Sequence, residues 1–129
     1  MPSARQIFGT EAEHQAADFL VAKGMTVIDR HVTSRYGEID IVMLDSSTRL
    51  TTGFDTIVAV EVKARRNAKF GRAIEAMTNT KVQKIADALH DVLEKRGWSQ
   101  RPYRIDVVTI EPNGIEYFKG VGSESSMND

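Results

Sequence analysis

The chain has no cysteine, which excludes a disulfide framework and a thiolate metal site. No apolar run approaches the roughly 20 residues that a membrane-spanning helix needs. The opening stretch MPSARQIFGTEAEHQ lacks the apolar centre of a signal peptide. Together these absences predict a cytoplasmic protein with no membrane partner. Excess positive charge is also missing: the formal net charge is -1, which argues against a general nucleic-acid coat. Internal repeats and long linkers are absent, and 129 residues suit one domain with one core.

The charge is unevenly spread. Lys63 to Arg72, KARRNAKFGR, holds five positive residues and no acid. Such a run is either a solvated loop or one end of a basic face. The last ten residues, GVGSESSMND, are small, polar and acidic, and predict a disordered tail over 120–129 behind a folded domain over 1–119.

Periodicity predicts the element order. Phe8, Ala12, Ala16, Phe19 and Leu20 mark a helix over roughly residues 5–23, stopped by Gly24. MTVIDRHV, GEIDIVML and TIVAVEVKA read as three strands, the second and third joined by the turn-rich DSSTRLTTGFD. Val82, Ile85, Ala86, Leu89, Val92 and Leu93 form a helical stripe, with Thr78 as the N-cap and Gly97 beyond the end. YRIDVVTIE and IEYFK, with an Asn-Gly turn between them, complete the chain. Short connections make the first three strands an antiparallel meander, and the helical connection brings the fourth back parallel. The expected architecture is a mixed five-stranded sheet flanked by helices, in the α/β class.

Charges interrupt these strands. Side chains alternate across a strand, so Glu61 and Lys63 share one face while Val58, Val60 and Val62 share the other. In the preceding strand the same rule sets Ile39, Ile41 and Met43 against Glu38, Asp40 and Val42. Paired strands bring Asp40 to Glu61 and Lys63. Two neighbouring carboxylates repel and raise each other's pKa unless a cation sits between them. A hard divalent ion takes oxygen ligands of this kind and often uses only one or two carboxylates. The competing reading is a solvated strand face carrying a weak ion pair. Glu13 adds a third acid, in line with Ala17 and Leu20 on the helix face that should meet the sheet. It either reaches water at the helix edge or points at the Asp40–Glu61 pair. Acids and a lysine converging on a metal beside a basic loop suit phosphodiester cleavage.

Five segments in this order resemble one family. They are AEHQAADFLVAKGM, RYGEIDIVMLD, VAVEVKARR, the Phe70–Gly71 pair followed by TNTKVQKI, and RIDVVTI. They resemble the YraN-like family of small bacterial proteins over roughly residues 9–118. That family is similar to the archaeal Holliday-junction resolvases and falls in the PD-(D/E)XK nuclease superfamily. The resemblance implies a restriction-endonuclease-like domain and a metal-dependent DNA endonuclease, selective for DNA structure. It implies Asp40 and Glu61 as ligands of Mg²⁺ or Mn²⁺, helped by a backbone carbonyl near Val62. Glu13 is the helix acid that serves the metal or its water shell, and Lys63 is the catalytic lysine. Arg65, Arg66, Lys69, Arg72 and, more loosely, Lys81 are implied nucleic-acid contacts. A four-way junction is two-fold symmetric, so a resolvase works as a homodimer; the apolar pattern is silent on that. The sequence departs from the family at Ala12, usually Gly, at His31, usually Asn, and at Ala59, usually aromatic. The DSSTRLTTGFD connection is also longer than usual. A non-catalytic nucleic-acid-binding module on the same fold is the alternative.

Overall fold

A computed structural model describes residues 1–69 and 71–122. Helix α1 spans Ala4–Ala22. It starts in a capping box, in which the Gln6 N–H donates to Ser3 Oγ while the Gln6 side chain accepts from the Ser3 N–H. Its buried stripe is Ala12, Ala16, Ala17 and Leu20, mostly small side chains that let the helix lie close to the sheet. Strand β1 spans Thr26–Ser34 and β2 spans Gly37–Asp45. A 3₁₀ turn, Ser46–Thr48, and a one-turn helix α2, Arg49–Thr52, lead to β3, Thr56–Ala64. A second 3₁₀ turn at Ala73–Ala76 precedes helix α3, Asn79–Lys95. Strands β4, Tyr103–Glu111, and β5, Gly114–Phe118, follow.

The sheet order is β1-β2-β3-β4-β5. Only the β3–β4 pair is parallel, which is what a helical crossover through α3 permits. The fold is therefore the expected α/β architecture, a mixed five-stranded sheet flanked by helices, in keeping with a restriction-endonuclease-like domain. Helix α1 packs on one face with Ile41, Met43, Val58, Val60 and Val108. Helix α3 packs on the other with Ile39, Val42, Ile57, Ala59 and Ile105. The central strand β3 is buried from Thr56 to Val60, which explains its unbroken apolar run.

Two expectations change. The DSSTRLTTGFD connection is not a plain loop, because α2 forms within it. Thr51 and Thr52 donate their hydroxyls to Thr48 O, and Gly53 closes the turn at φ 83°. Strict alternation also fails in β2. Ile39 joins the α3-side cluster, whereas Ile41 and Met43 join the α1 side. The break falls at Asp40, where β2 leaves β3.

At the chain's end, Gly120 N–H donates to Asp106 Oδ1 (2.9 Å) and Val121 N–H donates to Ile105 O (2.8 Å). Gly120 and Val121 are thus tied to β4. The remainder of the expected disordered tail, 123–129, lies outside the described residues, as does Phe70 of the Phe-Gly pair.

Candidate active site

The β2–β3 ladder runs from Asp45↔Thr56 to Ile41↔Val60 and stops there. Beyond it each strand keeps only its outer partner. Residues Gly37 to Ile39 stay paired with β1, and Glu61 to Ala64 stay paired with β4. The sheet opens into a fork with Asp40 and Glu61 at its apex. There the Val62 N–H, having lost its strand partner, donates to Asp40 Oδ2 (2.9 Å). This bond satisfies a backbone donor and fixes one carboxylate oxygen.

Glu61 lies mostly buried beside Asp40, and its carboxyl is pushed up to about 7, by burial and by the negative charge of Asp40. Lys63 acts against that shift, with its Nζ 3.2 Å from Glu61 Oε2. Burial pulls the Lys63 ammonium down, but contact with Lys81 and Glu61 outweighs it and the net direction is up. Lys81, in the first turn of α3, moves down because of the hydrogen bond and the charge of Lys63. The apex therefore holds two crowded carboxyls, with the Lys63 ammonium against Glu61.

Glu13 extends the line. Its pKa is raised by burial first and by Asp40 second. The side chain is 18% exposed and meets His31 on β1, with Nε2 to Oε1 at 2.9 Å. His31 Nδ1 lies 3.2 Å from Glu38 Oε1. The Glu38 hydrogen bond, together with Glu13, outweighs burial and raises the imidazole's pKa. Among the described residues, His31 is the one non-glycine with positive φ, 51°. Left-handed backbone favours Asn, Asp and His among residues with a Cβ, so His suits this position. The sequence reading counted His31 only as a departure, although it tethers Glu13 to the β1–β2 hairpin.

The structure thus brings Asp40, Glu61, Lys63 and Lys81 together, with Glu13 beside Asp40. Among the described residues no three His, Cys, Asp or Glu side chains gather into a ready-made ligand cluster. The donor chemistry nevertheless fits a hard divalent ion. Asp40 and Glu61 are two crowded carboxyls held on rigid strands, and such an ion takes one or two carboxylates and fills its remaining positions with water.

The basic residues Arg65, Arg66, Lys69 and Arg72 lie in the segment that follows β3. Arg65 follows β3, and its N–H donates to Ile110 O (2.9 Å). The Arg66 guanidinium lies over the Phe8 ring of α1, 4.3 Å from its centroid. The Lys69 N–H donates to Asn67 Oδ1. Arg72 pairs with Glu116 of β5, so part of its charge is already matched within the protein. A cleft of about 150 Å³ beside the apex is lined by Tyr36, Glu38, Glu61, Lys81 and Lys84 among others. A cavity of about 610 Å³ lies elsewhere, between α3 and β4, lined by Val82, His90, Tyr103 and Val121 among others. Its lining has no carboxylate, so it offers no Asp or Glu oxygens to a hard divalent ion.

The profile of uncharacterised protein family UPF0102 matches residues 12–110, a span from α1 to the end of β4. A UPF0102 protein of Pseudomonas syringae is 37% identical over 110 residues, covering 84% of this chain and 83% of that one. One from Stutzerimonas stutzeri is 37% identical over 113 residues, covering 87% and 88%. One from Pseudomonas paraeruginosa is 36% identical over 104 residues, covering 80% and 77%. The matched span holds every residue of the fork, the C-terminal part of α1 and all of α3, and the chain belongs to uncharacterised protein family UPF0102.

Proposed function

We propose that this protein is a metal-dependent DNA endonuclease that selects its substrate by DNA structure. The observation that carries the reading is the fork, where Asp40 and Glu61 share one apex and Lys63 stands 3.2 Å from Glu61. Asp40 and Glu61 are the residues that would hold Mg²⁺ or Mn²⁺. Such an ion supplies a nucleophilic water at neutral pH and offsets charge on a phosphoryl oxygen.

The chain's own groups supply the rest. The Val62 N–H holds Asp40 in a single orientation. Lys63 keeps its charge beside Glu61, in position to steady the negative charge that develops on the scissile phosphate. Glu13, tethered by His31, keeps a carboxylate oriented toward Asp40 for a hydrogen bond to the attacking water. Arg65, Arg66 and Lys69 supply phosphate contacts that position a strand without reading its sequence.

The raised Glu61 pKa gives a test that needs no turnover. Its folded value lies above its ordinary one, so between about 4.5 and 7 the native state holds more protons than the unfolded chain. Stability therefore falls as pH rises through that window, by at most roughly 3 kcal/mol. A divalent ion binds the ionised pair. Mg²⁺ is therefore expected to raise the melting temperature more at pH 8 than at pH 5, and Glu61→Gln to remove most of that difference. Equal Mg²⁺ shifts at both pH values would remove the pair from ion binding.

The basic loop gives a second test. Replacing Arg65, Arg66 and Lys69 together with Ala is expected to lower the slope of log K against log salt by about 2 to 3 for duplex DNA. An unchanged slope would take the loop out of the interface.

A further inference from the structure

The cleft beside the apex has one wall that the chemistry above leaves unused. Tyr36 sits at the tip of the β1–β2 hairpin and is 43% exposed. The tip is braced: the Tyr36 N–H donates to Ser34 Oγ (3.0 Å), and Ser34 Oγ donates to Gly37 O (3.0 Å). The Arg35 guanidinium lies 5.0 Å from the Tyr36 ring centroid. The ring is therefore a supported aromatic surface on a short, fixed turn.

Tyr36 also borders two clefts along α3. In one, Lys81 and Lys84 offset Glu38 and Glu61. In the other, Asp87, Asp91 and Glu94 outnumber Arg35, with His90 beside them. A phosphate chain is repelled more strongly from the second cleft than from the first. A nucleotide strand that reaches Glu61 therefore passes Tyr36 on the side lined by Lys81 and Lys84.

We infer that Tyr36 is a stacking platform for an unpaired base next to the scissile phosphate, so that the substrate is DNA whose base stack is interrupted at the cut. This inference rests on the endonuclease reading. An exposed aromatic close to lysines that can meet the phosphates is how sequence-tolerant single-strand sites hold bases, because every base has a π-face. In continuous duplex each base is already covered on both faces by its neighbours. Only a flap, a splayed arm or a branch point leaves a base free to lie on the ring. Structure selectivity then arises from one side chain at the hairpin tip, without base-edge contacts.

The test compares full-length wild type with Tyr36→Ala, Tyr36→Phe and Tyr36→Trp. Each binds a splayed-arm DNA and a continuous duplex of the same sequence, with Ca²⁺ in place of Mg²⁺. The splayed arm carries 5-iodouracil at its first unpaired position, and ultraviolet crosslinks are mapped by mass spectrometry. Wild type is expected to prefer the splayed arm about tenfold and to crosslink at Tyr36. Tyr36→Ala should lose most of that ratio, while Phe and Trp should keep it. A ratio unchanged in Tyr36→Ala, a crosslink at another residue, or no DNA binding would overturn the stacking platform. A Tyr36 crosslink in a protein that cuts nothing with Mg²⁺ would uphold the platform while the endonuclease reading falls.

Discussion

Asp40→Asn is expected to reduce metal-dependent DNA cleavage by on the order of a thousandfold and to leave the protein folded. The two halves of this result have separate causes. Asn keeps a carbonyl oxygen that accepts the Val62 N–H, so the backbone of the fork stays satisfied. Removing the Asp40 charge also relieves Glu61, whose carboxyl that charge pushes up. The melting temperature of the metal-free variant should therefore match or exceed that of wild type at pH 8. On the proposed function, activity falls for the opposite reason: the crowding that costs stability is what would draw a cation to the apex. Thermal denaturation and single-turnover cleavage, measured on the same preparation, check both halves. A variant that is inactive because it is unfolded would not support the assignment, and a folded, fully active one would end it.

The second large effect concerns stability and lies away from the fork. Arg104 on β4 bridges two buried acids. Its Nε donates to Asp106 Oδ1 (3.0 Å), and its Nη2 meets Asp45 Oδ2 at 2.8 Å. Asp106 is fully buried and also accepts the Tyr117 hydroxyl (2.5 Å) and the Gly120 N–H. Asp45 pays for its burial, yet bonds from Ser47 and the Arg104 guanidinium bring its pKa down to about 2. Arg104→Ala strands both charges, and breaking a buried pair from one side costs about 3–5 kcal/mol. For a chain of this length that lowers the melting temperature by roughly 10–20 °C. Arg104→Lys should recover only part of the loss, because an ammonium cannot present the planar fork that spans two carboxylates. The exposed Arg49–Asp55 pair is the control, since Arg49→Ala should cost under about 1 kcal/mol. The same network gives an acid limit. Asp45's folded pKa is below its ordinary value, so its contribution is complete above about pH 4 and is lost as pH falls toward 2. An Arg104→Ala protein as stable as wild type would show that the bridge contributes nothing net.

Much of this was legible in the sequence. The β-branched run Thr56–Ala64 is a strand over that same range, because the centre of a two-faced sheet demands apolar residues on both sides. Thr78 caps α3 as its position before the apolar stripe predicted, accepting the Lys81 N–H. Other features had no sequence signal to carry them. A helix as short as α2 has no apolar period, and its threonine-to-carbonyl bonds are invisible in a turn-rich stretch. The fork depends on where the β2–β3 ladder ends, and alternation reports which face a residue takes, not where pairing stops. That is why the reading joined Asp40 to Glu61 correctly while assigning Ile39 to the wrong face. Glu13 was legible as an acid among inward-facing residues, but its partner was not. His31 comes from a different element and reaches Glu13 from a left-handed residue that periodicity cannot flag. Tyr36 had no sequence signal of its own, because its position between two clefts exists only once α3 is docked.

The central claim is that the fork cuts DNA with a divalent ion. Its most direct test is incubation of the purified protein with labelled linear, flap and four-way-junction DNA, with Mg²⁺, with Mn²⁺ and with EDTA. The account predicts cleavage with either metal, none with EDTA, and faster cutting of the DNAs whose base stack is interrupted. DNA binding without cleavage under every metal condition would contradict it and leave a non-catalytic binding module on the same fold.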